Sequence, residues 1–333
     1  MRIKVISRSS SIGVPDFEYR PGYIFVNDIS SADYDWLVVY DEMPLNDIGT
    51  FENGCEVLRC PKECTILATQ EPVNIKRYSK CYTRQFGHLL TNRPPEAERH
   101  PHYHLGRGYY WWYIGRSFQE YDNLKLPPKE RLISVISSSK RMRYTKHAKR
   151  YELASRLSAA IPEMDWFGKG VKPFDKKYKV LEPYKYHVTI ENHIGEHHWS
   201  EKLADVFLAE CLPLYAGDPI IGEIFPENSF IPIPIDDPEA AVEIIKAAVD
   251  DDEYGKRRDA ILEAKRLVLE KYNFFAQVIE VVENSKNQKI TPLDRKRPVR
   301  IYERKALRKK NVFVALSDGF FHLNDEFQRI LKR

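Results

Sequence analysis

The stretch Tyr186-His-Val-Thr-Ile-Glu-Asn-His-Ile-Gly-Glu-His-His-Trp-Ser-Glu-Lys-Leu203, followed by Leu212-Pro-Leu-Tyr-Ala-Gly217, decides the fold. Tyr186 to Glu191 and Leu212 to Tyr215 are short, largely apolar runs, the signature of strands covered on both faces. Between them lies a polar loop, then a segment from Ser200 to Glu210 that opens on Ser-Glu-Lys, a helix start with an N-cap residue. Strand, loop, helix, strand is a parallel crossover unit. A loop that delivers Lys202 to a helix N-terminus can hold an anion, because free backbone N–H groups and the helix dipole point at one spot.

Working outward, the same alternation recurs. Leu132 to Ile136 and Met164 to Phe167 read as strands, with a helix over Arg141 to Ala160 between them. Glu239 to Asp250 and Glu253 to Glu283 read as helices. In the first half, Ile3 to Ile6, Tyr34 to Tyr40 and Cys64 to Ala68 read as strands of a second parallel sheet. Asn92 to Gly115 is rich in Pro, His and aromatics, including Tyr109 to Tyr113, and reads as loops with a short strand. Leu124-Lys-Leu-Pro-Pro128 reads as a linker, because two prolines bar helix and central strand. The expectation is α/β: an N-terminal domain over 1–125, a C-terminal domain over 130–284, and a basic, amphipathic tail over 285–333. In such sheets ligands sit outside the carboxyl ends of strands, where Ser137 to Ser139, Asn192 and Gly217 fall.

The 333 residues exceed one ordinary core, and 43% hydrophobic with 30% charged residues is the composition of a water-soluble globular chain. No apolar run approaches the ~20 residues that span a bilayer. Met1 to Ser7, with Lys4 inside it, reads as a first strand and not as a signal peptide, so neither secretion nor a membrane anchor is expected. Five cysteines, an odd number, argue against a disulfide framework, and the C-x4-C-x3-C spacing of Cys55, Cys60 and Cys64 suits reduced thiols better than zinc. Charge is uneven. Residues 285–310 hold eleven Lys and Arg against Asp294 and Glu303, a net +9, which leaves 1–284 at −5. An acidic body with one basic segment does not look like a nucleic-acid-binding domain, and no nucleic acid is expected as a partner.

The run from Ile190 to Gly217 resembles the donor-binding core of the α-1,3/1,4-fucosyltransferases, glycosyltransferase family 10. That family has a Phe-Glu-Asn strand end, a Thr-Glu-Lys helix start, an apolar strand and a Gly. Here stand Ile190-Glu191-Asn192, Ser200-Glu201-Lys202 and Leu212 to Gly217. Phe225-Pro226 and Ser229-Phe230-Ile231 continue the likeness, as do Ser137-Ser138-Ser139, Arg150 with Leu157 seven residues on, and Asp165 to Lys169. The resemblance covers 131–283 specifically and 1–125 weakly. It implies two Rossmann-like domains facing across a cleft, the GT-B type, in a soluble bacterial-type member.

The resemblance also implies roles. Lys202 and Arg150 bind the donor diphosphate, Glu201 contacts the nucleoside or sugar, and Asn192 lies beside the sugar. Glu191, His198 and Ser138 complete the donor set, although the family has Asn where Ser138 or Ser139 stands. Glu71, after the strand Thr65 to Ala68, is the counterpart of the proposed catalytic base. Read alone, each has a plainer alternative: Glu201 and Lys202 as an exposed first turn, Arg150 as one base on a wet helix face, Glu71 as a solvated turn residue before Pro72. His193, His197 and His198 with Glu196 do not have metal-ligand spacing, and no metal or cofactor is expected.

The implied reaction transfers L-fucose, with inversion, from GDP-fucose as donor substrate to a GlcNAc-containing oligosaccharide or glycolipid acceptor. Two alternatives remain: a sibling transferase using another nucleotide sugar, and a non-catalytic glycan- or nucleotide-binding protein. The expected location is cytoplasmic. For 285–333 two readings stand side by side: a peripheral contact with an anionic membrane surface, dispensable for chemistry, or a segment that packs back onto the first domain.

Overall fold

The computed structural model describes residues 1–8, 16–69, 71, 76–108, 114–122, 124–139, 147–294, 296–317 and 319. The chain divides into two compact units. Unit 1 comprises Met1–Gly106 and Gln277–Arg333, and unit 2 comprises Arg107–Ala276.

Unit 1 contains β1 (Arg2–Ser7), β2 (Phe17–Arg20), β3 (Tyr23–Val26), β4 (Trp36–Tyr40), β5 (Phe51–Glu52), β6 (Cys55–Val57), β7 (Thr65–Ala68), α1 (Lys80–Thr83), β8 (His88–Thr91) and β9 (Tyr103–Leu105). Seven strands form one sheet in the order β2-β3-β1-β4-β7-β8-β9. All neighbours are parallel except the β2/β3 hairpin. Ile3, Val5, Leu37, Val38, Val39, Ile66, Leu67 and Leu89 are fully buried, as consecutive apolar residues in a parallel strand require.

Unit 2 contains β10 (Arg131–Ile136), α2 (His147–Ala160), β11 (Met164–Phe167), β12 (Tyr184–Ile190), α3 (Glu201–Leu208), β13 (Leu212–Ala216), β14 (Ile231–Pro232), α4 (Pro238–Asp250), α5 (Glu253–Lys256) and α6 (Arg258–Glu270). Its five parallel strands run β11-β10-β12-β13-β14. One apolar cluster, with Ile133, Leu153, Leu157, Val188, Leu214 and Ile245, packs with α2 and α4. The other, with Trp199, Leu203, Phe207, Phe225 and Val268, packs with α3 and α6. This sheet is doubly wound, and each unit taken by itself is the α/β unit the sequence implied.

Two expectations differ from the structure. The stretch 107–125 lies in unit 2 and not in the N-terminal domain, and Leu124 to Pro128 does not separate the units. The reason is packing: Ile114 and Tyr121 are buried in the cluster around Trp199 and Phe207, and Arg116 makes a two-pronged pair with Glu182 at 2.7 and 2.8 Å. The second concerns the tail. The chain passes into unit 1 within α7 (Phe274–Asn284), and 285–333 is grouped with it. There β15 (Arg300–Tyr302) pairs antiparallel with β6 to make a three-stranded β15-β6-β5 sheet, and Ile301 is fully buried. Gln85 exchanges two hydrogen bonds with the Tyr302 backbone (3.0 and 2.9 Å), and Arg304 reaches Glu42 at 3.3 Å. The next helix, α8 (Arg304–Lys310), is capped by the Glu303 side chain. Of the two readings, the part of the tail up to α8 follows the packed-back one.

Candidate donor site

In unit 2 the strand order reverses between β10 and β12, since β11 lies on one side of β10 and β12 on the other. A crevice at the carboxyl ends of such a strand pair is where doubly wound sheets take ligands. Arg150, on the first turn of α2 and only 7% exposed, spans that point. Its Nη1 donates to Asn192 Oδ1 just past β12, and its Nη2 donates to the Ile136 carbonyl at the end of β10, 3.5 Å away. Sequence reasoning placed Arg150 on a basic helix; its neighbours Lys140, Arg141, Arg143 and Lys146 lie outside the described residues. Burial pulls its guanidinium below the ordinary range, against Glu191 and Glu201.

Lys202 stands at the start of α3. Ser200 caps the helix, its Oγ accepting from Lys202 N at 3.3 Å. Lys202 Nζ lies 3.1 Å from Ser200 Oγ, 3.2 Å from Glu201 Oε1 and 3.5 Å from Glu191 Oε2. Burial lowers its ammonium pKa, but Glu191 and Glu201 outweigh that and hold it above the ordinary value. For Glu201 burial acts upward, and Lys202 followed by Lys177 brings the net shift down. Both members of the pair are therefore charged.

Glu191 is not a surface contact. It is fully buried, and its two oxygens accept from Ser200 N (3.0 Å) and Ser200 Oγ (2.6 Å). It ties the end of β12 to the start of α3, and so fixes where Lys202 stands. Gly217 makes room for this: a Cβ there would stand 2.1 Å from Tyr215 Oη and 2.8 Å from Glu191 Cγ. Trp199, one residue before the cap and 1% exposed, seats the loop against Gly108, where a Cβ would lie 1.8 Å from the indole. Gly217 stood in the run that carries the resemblance, whereas the close approach of Trp199 to Gly108 was invisible in sequence. Ser138 lies in the loop after β10, which is pinned to β11 and the loop after it: Ser139 N donates to the Lys169 carbonyl (3.0 Å) and Trp166 Nε1 to the Ser137 carbonyl (2.9 Å).

His198 is buried, with its ring 5.0 Å from that of His193. Burial, then His193 and Lys202, push it down to about 3, so it is a neutral imidazole near neutrality. Among the described residues no group of three or more His, Cys, Asp or Glu is arranged to hold a metal ion, and all five cysteines are free. Ser138, Glu191 and Asn192 fall at the carboxyl ends of β10 and β12, His198, Glu201 and Lys202 lie at or just before the start of α3, and Arg150 reaches the β10 and β12 ends from α2. Two fixed cations beside a helix N-terminus can take an anion without a metal.

Glu71 lies in unit 1, three residues past β7. Its carbonyl accepts from the buried Arg93. The preceding Gln70 and following Pro72 lie outside the described residues, as do Tyr109 to Tyr113.

Residues 126–256 match a family model. It is described as glycosyltransferase family 10 (fucosyltransferase) C-term. The resemblance read from the sequence holds over that segment, which contains every unit 2 residue named above for the donor set. No curated protein sequence matches. Similar solved structures include an alpha1,3-fucosyltransferase with GDP-fucose (15% identity, 87% of this chain and 91% of that one, TM-score 0.47). Another alpha1,3-fucosyltransferase structure is 15% identical over 82% of this chain and 91% of that one, with TM-score 0.43. A mutant of TarM from S. aureus, in complex with fondaparinux, alpha-GlcNAc-glycerol and UDP, is 9% identical over 80% of this chain and 60% of that one, with TM-score 0.44.

The buried imidazoles set a pH dependence for the whole chain. Burial lowers His187 and His198 to about 3, and burial with His104 and His102 lowers His88 to about 4. Each folded-state value lies below the ordinary 6.5, so the unfolded chain takes up protons that the folded one refuses. Stability is therefore fully present above pH 6.5 and falls as pH drops towards 4, by at most about 1.4 kcal/mol per unit per histidine. Urea titrations at pH 7.5 and 5.0 are expected to show a clear loss at pH 5.0. Equal midpoints would contradict the burial of these rings.

Proposed function

We propose that this chain is an inverting glycosyltransferase that moves L-fucose from GDP-fucose to a GlcNAc-containing oligosaccharide or glycolipid, in the α-1,3 sense. The observation that carries the reading is the Arg150–Lys202 pair. Arg150 sits at the strand-order reversal and Lys202 at the α3 N-terminus, inside the segment that matches the family model. Arg150 and Lys202 stabilise the negative charge that builds on the departing GDP, the term a dry, preorganised site supplies most strongly. His198 stays neutral and offers a hydrogen bond without adding charge. Glu71 takes the proton from the acceptor hydroxyl as the new bond to the anomeric carbon forms.

The test is ligand stabilisation. Binding to the folded state stabilises it by RT ln(1 + ligand over Kd), so the melting temperature rises with the logarithm of that ratio. GDP-fucose and GDP are expected to raise it, and UDP-, CMP- and dTDP-sugars are not. A shift with UDP-GlcNAc and none with GDP-fucose would favour the sibling transferase.

Among the described residues no helix is long and apolar enough to cross a membrane. A peripheral contact is proposed at the end of α8. Lys305, Arg308, Lys309 and Lys310 precede a helical turn where Val312 is 70%, Phe313 84% and Leu316 57% exposed. Bases beside exposed apolar side chains suit an anionic lipid surface, each base contributing about 1 kcal/mol. Phe320, Phe321, Leu323, Phe327, Ile330 and Leu331 lie outside the described residues. The full chain is expected to sediment with phosphatidylserine vesicles, and Phe313→Asp to remain in the supernatant. Equal partition of both proteins would remove this surface from the account.

A further inference from the structure

A second buried arginine stands just past the carboxyl end of β8. Arg93 is 2% exposed. Its Nε and Nη2 both donate to the Glu71 carbonyl, at 2.9 and 2.6 Å. The same Nη2 donates to the Lys76 carbonyl at 2.6 Å, and Nη1 pairs with Glu98. The guanidinium carbon lies 4.7 Å from the centre of the Tyr78 ring. The main chain that carries it is fixed as well. Its N–H donates to Thr91 Oγ1 at 3.2 Å, Thr69 Oγ1 donates to that same oxygen at 2.7 Å, and Tyr103 donates its hydroxyl to the Arg93 carbonyl.

One planar fork thus holds two carbonyls five residues apart in the chain, 71 and 76. Burying a guanidinium is costly unless it is paired and hydrogen-bonded, and Glu98 with the two carbonyls meets that demand. A side chain placed so deeply, with its donors turned on these two carbonyls, fixes the main chain at Glu71 and at Lys76.

We propose that Arg93 is the positioning residue for Glu71. It sets the backbone from which the carboxylate reaches the acceptor hydroxyl, and it takes no part in donor binding. The proposal rests on Glu71 acting as the base. A base displaced by about 1 Å loses on the order of 10²-fold in rate, so the fork has a kinetic signature. Lysine keeps the charge but cannot hold both carbonyls and Glu98 in one plane, which makes Arg93→Lys the informative change.

The experiment is a kinetic double-mutant cycle on the full chain with GDP-fucose and an N-acetyllactosamine acceptor, using Arg93→Lys, Glu71→Gln and the double variant. Arg93→Lys is expected to lower kcat by about 30-fold, with the Kd for GDP within about twofold of the parent. On the Glu71→Gln background it is expected to add less than about threefold, because the two act through one group. A slow Glu71→Gln beside a normal Arg93→Lys would overturn this proposal alone. So would an unreduced 30-fold loss on the Glu71→Gln background. A near-normal Glu71→Gln would overturn the base assignment and this proposal with it. Should Arg93→Lys fail to fold, Glu98→Gln takes its place in the cycle. It removes the counter-charge at Nη1 and keeps the fork, with an expected loss in kcat of about fivefold that disappears on the Glu71→Gln background. An unchanged kcat there would overturn the proposal too.

Discussion

Lys202→Ala and Arg150→Ala are each expected to weaken GDP binding by roughly 10- to 100-fold, the effect of losing one charge-assisted contact of about 1.5–3 kcal/mol. Turnover should fall further, because negative charge on the diphosphate grows as the glycosidic bond breaks. The two changes differ in what they leave behind. Lys202→Ala strips the cation from the fully buried Glu191 and from Glu201, so a loss of stability accompanies the loss of affinity. Arg150→Ala frees Asn192 and the Ile136 carbonyl at the strand-order reversal, which loosens the crevice. Titration calorimetry on folded variants separates the two terms, with melting temperature measured alongside. GDP affinity unchanged in both variants would remove the donor assignment.

The second large effect belongs to Glu71. Glu71→Gln keeps the shape and the Arg93 contacts, which are made to the main-chain carbonyl. It removes the proton acceptor, and kcat is expected to drop by about 10²-fold or more while GDP affinity stays near that of the parent. Asp41 and Glu42, just past β4, are further acids of unit 1. Both are held in ion pairs with Lys76, at 2.7 and 2.9 Å. A Glu71→Gln variant with ordinary turnover would redirect the assignment to them.

Much of unit 2 was legible because its signals are local. Consecutive apolar residues gave β11, β12 and β13 within two residues of their bounds, and Ser-Glu-Lys gave the start of α3. What failed was either non-local or carried by a single capping side chain. The run 253–283 reads as one helix because its apolar stripe persists, yet it is α5, α6 and α7. Asn273 makes the last break: its Nδ2 donates to the Val268 and Leu269 carbonyls, ending α6, and its Oδ1 accepts from Ala276 N, starting α7. Two caps in one side chain leave no trace in periodicity. β15 hides inside a charge run, and its partner β6 lies some 245 positions earlier in the chain. The β2/β3 hairpin was more accessible, since Pro21-Gly22 marks its turn.

Within the site, the residue types were readable and their division of labour was not. Lys202 and Arg150 stand where the register of motifs put them. Glu191 was grouped with the ligand contacts, and the structure adds that it is fully buried and holds Ser200 and Lys202. That burial was not legible, because a strand-end glutamate looks the same in sequence whether it is exposed or buried.

The central claim is transfer of fucose from GDP-fucose. Its most direct test is incubation of the full chain with GDP-fucose and N-acetyllactosamine, with the product read by proton NMR. The account predicts stoichiometric release of GDP and a new α-linked fucosyl residue on the GlcNAc O3, the anomer opposite to the donor's. Transfer from a different nucleotide sugar under the same conditions, with GDP-fucose left intact, would contradict it.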